Sequence, residues 1–192
     1  YFRRNICKEK NIESLLSNPD LIQRSNLWYK LTGKEIKVSI GDLTEISFMD
    51  SLFNGKIKLD WGNNNSFDLP DTVIHFAEQP SAPFSMIDSE KSNFTLINNV
   101  ISTNNLINSI KKFNIKTHII KLGTMGEYGT PNIDIEEGWL TVEHNNRKQK
   151  FLYPRQASSI YHTSKIMDTD LLWFAVRTWK IKVTDLMQGP VY

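Results

Sequence analysis

The stretch from Thr117 to Lys165 constrains the fold more than any other part of this chain. Thr117 to Leu122 reads as a buried strand, and it runs straight into a loop punctuated by Gly123, Gly126 and Gly129. Further on, Tyr161 and Lys165 stand four residues apart at the start of a helix predicted from about Ser158 to Trp179. One helical turn brings such a pair onto the same face, with β-carbons about 6 Å apart. A phenol ordinarily titrates near pH 10, and a neighbouring ammonium lowers the cost of forming phenolate. Lys165 is therefore expected to depress the pKa of Tyr161.

The remaining elements extend the same pattern. Leu15, Leu16, Leu21, Ile22, Leu27 and Leu31 fall at helical spacing, and Pro19 divides them into two short helices joined by a turn. After Thr32-Gly33-Lys34 the alternation Ile36 to Ile40 reads as a strand ending at Gly41-Asp42, followed by a short helix from Glu45 to Phe53. The Asn-rich segment 54–69 reads as a surface insertion, loop or hairpin. Asp71 to Ala77 is a predicted strand, with Pro80 and Pro83 making the next residues a loop. Phe94, Ile97, Val100, Ile101, Leu106, Ile107 and Ile110 predict a helix from Asn93 to Phe113. Trp139 to Phe151 predicts a hairpin around Asn145-Asn146, and Lys182 to Leu186 a last strand. Strands alternating with helices imply an α/β fold with a parallel, doubly wound, Rossmann-like sheet. Ligands then bind at the carboxyl ends of the strands, where Gly41-Asp42, Ala77-Glu78-Gln79, the loop from Gly123 to Gly129 and Met187 to Gly189 fall.

Composition narrows the partners. The 23 basic and 21 acidic residues nearly cancel, and no long basic run is present, which argues against a nucleic-acid surface. Cys7 is the sole cysteine, so an internal disulfide or a multi-cysteine metal site is impossible and a reducing compartment is expected. No apolar run reaches membrane-spanning length. At 192 residues one domain is expected. The chain opens without Met and stops at GPVY, which reads as a fragment.

Several signals have plain alternatives. Tyr-x-x-x-Lys is also an ordinary solvated helix face, but behind a strand and loop bearing Thr124 it fits a dinucleotide-dependent oxidoreductase. There Tyr161 takes a proton from a sugar hydroxyl while hydride leaves, Thr124 binds the same oxygen, and Lys165 also reaches the cofactor ribose. Gly41-Asp42 is either a capped turn or a contact for an adenine amino group. Asn98-Asn99 is helix polarity or a loop brace. Glu127 is a carboxylate near substrate or a helix cap, and His162 a surface imidazole or a proton carrier. Asp134, Glu136, Glu137 and His144 fit no rigid ligand set, so no metal is expected.

The strings VIHFAEQPSAPFSMID, INNV, KLGTMGEYGTPNIDIEEG, YPRQASSIYHTSK and TDLMQGPVY together resemble the extended short-chain dehydrogenase/reductase superfamily of NAD-dependent epimerases and dehydratases. More narrowly they resemble its sulfosugar-forming branch. Dehydratases of the superfamily follow the equivalent Thr with Asp-Glu, where this chain has Met125-Gly126. The resemblance implies NAD as cofactor, and UDP-glucose and sulfite as substrates. Carbon 4 is oxidised, water is eliminated to a 4-keto-5,6-ene, sulfite adds at carbon 6, and the hydride returns to carbon 4. The product is the headgroup donor of sulfolipid, formed with a new C–S bond.

By the same resemblance Thr124, Tyr161 and Lys165 are the catalytic set, with Glu127 and His162 as candidate acid and base. Asp42, Leu43, Ala77, Gln79, Asn99, Tyr161, Lys165 and Gln188 are expected to bind cofactor, and Gln79, Thr124, Met125, Gly126 and Gln188 to line the sugar. A homodimer of the full-length protein, a sulfite-supplying partner, and a cytoplasmic or chloroplast-stromal location follow as further expectations. Pro80 replaces an expected Arg and Met187 an expected Asn. The glycine-rich phosphate strand and the substrate lobe are missing, so the 192 residues alone are expected to be inert. The alternatives are an epimerase or 4,6-dehydratase without sulfite, and a non-catalytic nucleotide-binding module on the same fold.

Overall fold

The computed structural model describes residues 19–62, 68–136 and 138–189. Cys7, Leu15, Leu16, Asn63 to Asn65, Glu137 and the closing Pro-Val-Tyr lie outside these residues. Pro19 opens the first described helix, α1 (Pro19–Thr32), at a position where its missing N–H has no acceptor to lose. Gly33 ends α1 with φ +68 and donates to Tyr29 O. Leu27 and Leu31 of this helix are exposed.

The strand expected at Ile36 to Ile40 is also absent from the sheet. Val38 makes only an isolated antiparallel bridge to Trp61. Gly41-Asp42 therefore does not end a strand of the described sheet. Helix α2 (Ile46–Phe53) follows, and Met49, Leu52 and Phe53 bury its apolar face. Segment 54–69 is anchored at its start, where Ile57 joins the core and Leu59 packs against it.

Strand β1 (Thr72–His75) leads into the short α3 (Ala82–Ser85), capped by Ser81. Next, α4 (Ser89–Leu96) begins at Asp88, whose carboxylate accepts Lys91 N–H. A π-turn, Ile97–Ile101, joins α4 to α5 (Ser102–Phe113), so the expected long helix is one rod with a bulge in it. Strand β2 (His118–Thr124) follows, then a 3-10 turn, Met125–Tyr128. Strands β3 (Trp139–His144) and β4 (Arg147–Leu152) pair antiparallel. Asn145 and Asn146 hold φ of 49 and 57 between them, the left-handed pair that a two-residue hairpin turn requires. Helix α6 (Ile160–Trp179) and strand β5 (Lys182–Gln188) end the described fold.

The main sheet is parallel, in the order β1-β2-β5. Register aligns Val73, Ile119 and Val183 in one rung and His75, Lys121 and Asp185 in another. The first rung meets Leu106, Ile107 and Ile110 of α5 and Leu172 and Ala175 of α6 in the hydrophobic core. The second rung is charged yet enclosed: His75 and Lys121 have almost no exposed surface. Because the strands are parallel, their carboxyl ends converge, and residues 77–79, 124–129 and 187–189 meet at one edge of the sheet.

Candidate functional site

The charged rung lies just beneath that edge. Lys121 Nζ donates to Lys165 O at 3.1 Å and Thr169 Oγ1 at 2.8 Å, and pairs with Glu127 and Asp185, each at 3.4 Å. Burial would strip the ammonium of its proton, but Asp185, Glu127, Asp168 and Glu78 outweigh it and hold the Lys121 pKa above the ordinary lysine value. Gly123, the next inward position on β2, leaves room for the Asp185 side chain. A β-carbon there would collide with the Asp185 carboxylate.

Helix α6 is seated on this edge by its first turn. Ser159 caps it by accepting His162 N–H at 3.1 Å. Ser85, fully buried, accepts Tyr161 N–H at 3.0 Å. Lys165 Nζ then reaches across to Leu122 O at the end of β2 and forms an ion pair with Glu78. Burial of the phenol pushes the Tyr161 pKa up to about 12, the Glu78 carboxylate adding to the rise and the Lys121 ammonium opposing it. The expected lowering by Lys165 is thus not what the structure holds. Its ammonium is already matched by a carboxylate.

Thr124 ends β2 and caps the 3-10 turn, its Oγ1 accepting Gly126 N–H at 3.2 Å. Gly126 lies against His162, whose imidazole fills the space a β-carbon there would need. His162 Nδ1 is 3.1 Å from both Ser158 Oγ and Ser159 Oγ. Burial lowers its pKa below the ordinary histidine value, so the ring is neutral at pH 7 and able to accept a proton. The ring also packs beside Tyr161, with centroids 5.2 Å apart.

Three expected site residues have other roles. Glu127 is fully buried and directed into the fold. Thr169 Oγ1 donates to it at 3.1 Å, Lys121 pairs with it, and Arg155 Nη1 lies 3.8 Å away. These contacts brace the turn. Asn99 sits in the π-turn with no exposed surface. Its Oδ1 accepts from Gln79 N at 2.7 Å and Asn98 Nδ2 at 3.0 Å, and its Nδ2 donates to Gln79 O at 3.2 Å and Ser164 Oγ at 2.9 Å. A side-chain amide has little further capacity, so in this structure Asn99 fixes the Gln79 loop. Leu43 is buried in the core, and its carbonyl accepts Asn105 Nδ2 at 3.0 Å.

The others stay at the edge. Gln79 is buried, with Oε1 accepting Ser81 N–H at 3.0 Å. Ala77 is half-buried against the core. Asp42 Oδ1 closes a local turn by accepting Thr44 N–H at 2.9 Å and Thr44 Oγ1–H at 2.7 Å. Gln188 pairs with Thr124 in register at the exposed end of β5. Met125 is exposed beside it, its sulfur near Gly189. Sequence reasoning placed Glu78 in a strand-end segment without giving it a role, and missed Lys121. A carboxylate directly after a buried strand and a lysine inside one are the only local signals of them.

Among the described residues no three His, Cys, Asp or Glu side chains converge as a metal site, and no helix is long and apolar enough to cross a membrane. Solved structures share the fold. The NAD complex of UDP-glucose 4-epimerase from Brucella ovis superposes with TM-score 0.58 at 17% identity, over 78% of this chain and 37% of that one. The Thermus thermophilus UDP-glucose 4-epimerase complex with NAD gives TM-score 0.58 at 19% identity, over 81% and 42%. In sequence the chain is 45% identical over 190 residues to the chloroplastic UDP-sulfoquinovose synthase of Spinacia oleracea, covering 99% of this chain and 37% of that protein. It is 38% identical over 190 residues to the UDP-sulfoquinovose synthase of Sulfolobus acidocaldarius, covering 98% of this chain and 45% of that protein. The chain thus spans less than half the length of these relatives. The profile of the NAD dependent epimerase/dehydratase family matches residues 29–192, and with the parallel sheet and its carboxyl-edge Thr, Tyr and Lys this leaves one conclusion: the chain belongs to the NAD dependent epimerase/dehydratase family.

Proposed function

We propose that this chain is the catalytic-edge portion of a UDP-sulfoquinovose synthase, which joins UDP-glucose and sulfite with loss of water. The observation that carries the reading is the Gly126–His162 contact beside Thr124 and Tyr161. The turn after Thr124 has no acidic pair of its own, and an imidazole from α6 fills the volume such a side chain would need. That supports the reading over a 4,6-dehydratase and offers a neutral base at the same place.

The residues present fit the ribose end of NAD. The Lys165 ammonium and the Tyr161 and Thr124 hydroxyls are suited to vicinal sugar hydroxyls, and the Gln79 backbone is held rigid by Asn99. Lys165, Tyr161, Gln79 and the backbone at Ala77 would hold the cofactor, with Asp42 and Gln188 completing the proposed set. NAD, when bound, supplies the hydride acceptor and donor at carbon 4. Tyr161 takes and returns the proton of the carbon 4 hydroxyl, and Thr124 orients that oxygen. His162 removes the carbon 5 proton and the resulting imidazolium returns it to the carbon 6 hydroxyl, which leaves as water. Bisulfite then adds to the 5,6-ene, its sulfur forming the C–S bond at carbon 6 and its proton going to carbon 5. Met125, Gly126 and Gln188 line the sugar. A homodimer, a sulfite-supplying protein and a plastid or cytoplasmic setting belong to the same reading.

Tyr161→Phe in the full-length protein tests it. Hydride transfer is expected to be lost while NAD and UDP-glucose still bind; an unchanged rate removes Tyr161 from the mechanism.

A further inference from the structure

We propose that Glu78 is a positioning residue of this site, the resident counter-ion that orients Lys165 and through it governs how readily Tyr161 gives up its proton. The inference rests on the oxidoreductase reading above. Glu78 lies three residues beyond β1, in the strand-end segment Ala77-Glu78-Gln79. Its side chain is 5% exposed and that of Lys165 3%, and the two are in direct ion-pair contact. The remaining Lys165 bond goes to the Leu122 carbonyl. On the other side Glu78 Oε1 lies 3.4 Å from His75 Nε2, which also meets Thr103 Oγ1 at 3.1 Å.

Among the charged groups around this pair, Lys165 is the cation in direct contact with Glu78, while Lys121 and Asp168 act on it at longer range. Burial lowers the His75 pKa below its ordinary value, so the imidazole adds no positive charge near neutral pH. Lys121, from β2, is matched by Glu127 of the turn and Asp185 of β5. Asp168, from α6, is pushed well above the usual carboxylate range, first by burial and then by Glu78, with Lys121 and Lys165 opposing. Lys165 is therefore the direct cationic partner of Glu78.

Burying an ion pair seldom yields net stability, because desolvation offsets the attraction. Enclosed one turn from a phenol, however, the pair has a chemical effect. With Glu78 charged, Lys165 is half of a neutral unit and does little to favour phenolate. With Glu78 replaced by a neutral side chain, a carboxylate that raises the Tyr161 pKa is gone and the Lys165 ammonium, offset then only in part by Asp168, favours phenolate.

The test uses the full-length protein without cofactor or substrate, so that its failure is separate from failure of the functional reading. Tyrosinate absorbance is followed with rising pH, and the Tyr161→Phe trace is subtracted to isolate the Tyr161 signal. Glu78→Gln, which keeps the shape and an acceptor for Lys165, is expected to move the onset of Tyr161 ionisation about one pH unit lower, a tenfold gain in phenolate at a given pH. Glu78→Met, neutral and apolar, is expected to shift it in the same direction, and Glu78→Asp to leave it high. In the NAD-loaded enzyme the acid limb of the hydride step should move to lower pH in Glu78→Gln. An unmoved onset in a folded neutral variant overturns the proposal. So does loss of the fold in both neutral variants, which would assign Glu78 to stability alone.

Discussion

Gly126 and His162 compete for one volume: the imidazole of α6 lies where a β-carbon on the turn after Thr124 would stand. The glycine is thus the condition for the histidine's position. Gly126→Ala should displace the ring and weaken its contacts with Ser158 and Ser159, at about 1–3 kcal/mol for overpacking. The larger effect should be on rate. Urea midpoints and turnover of the full-length variant check the two separately, and a wild-type rate would disconnect His162 from the chemistry.

His162→Gln should lower the elimination step by about 10²–10⁴-fold, the usual range for a lost general base, while leaving NAD reduction by UDP-glucose intact. The ring's pKa is lowered by burial, so its basic form persists below the ordinary value of about 6.5. Wild-type elimination should therefore hold its rate at neutral pH and fall only in more acidic solution. Hydrogen exchange at carbon 5 in deuterated water reads this step directly.

Lys121 joins β2, the 3-10 turn, α6 and β5 through one ammonium. Lys121→Ala leaves buried carboxylates without their cation and should cost about 3–5 kcal/mol in urea unfolding. Since its folded pKa is raised, the stabilisation is fully present below the unfolded value of about 10.4 and is lost as pH rises through the folded one. A variant as stable as the parent would remove Lys121 as the centre of the network.

Asp168 has the opposite consequence. Burial and then Glu78 raise its folded pKa, with Lys121 and Lys165 opposing. A carboxyl raised in this way contributes fully only below about pH 3.9 and loses that contribution as pH climbs through the folded value. Asp168→Asn cannot ionise, so its stability relative to the parent should improve as pH rises from about 4 and level off above the folded value. Urea midpoints across that range check the sign; a gap independent of pH would contradict it.

What the chain states locally was legible. The hairpin could be read from Asn145-Asn146 because few residues tolerate positive φ at both turn positions. The long helix, from the spacing of Leu106, Ile107 and Ile110, and the helix carrying Tyr161 and Lys165 were legible from helical periodicity, which is also local. What depends on distant partners was not. The alternation Ile36 to Ile40 marks an apolar face but cannot say which strand pairs with it, and among the described residues Val38 finds only Trp61. Spacing put Lys165 beside Tyr161, yet the charge Tyr161 experiences depends on Glu78, which is 87 residues from Lys165 in the chain. Asn99 and Glu127 looked available for ligands because their burial partners lie in other elements.

The most direct measurement supplies the full-length protein with NAD, UDP-glucose and isotopically labelled sulfite, and identifies the nucleotide sugar formed. The account predicts a labelled, carbon 6-sulfonated UDP-sugar that requires sulfite and is lost in Tyr161→Phe. An unlabelled epimer or 4-keto-6-deoxy sugar, formed equally well without sulfite, would contradict it.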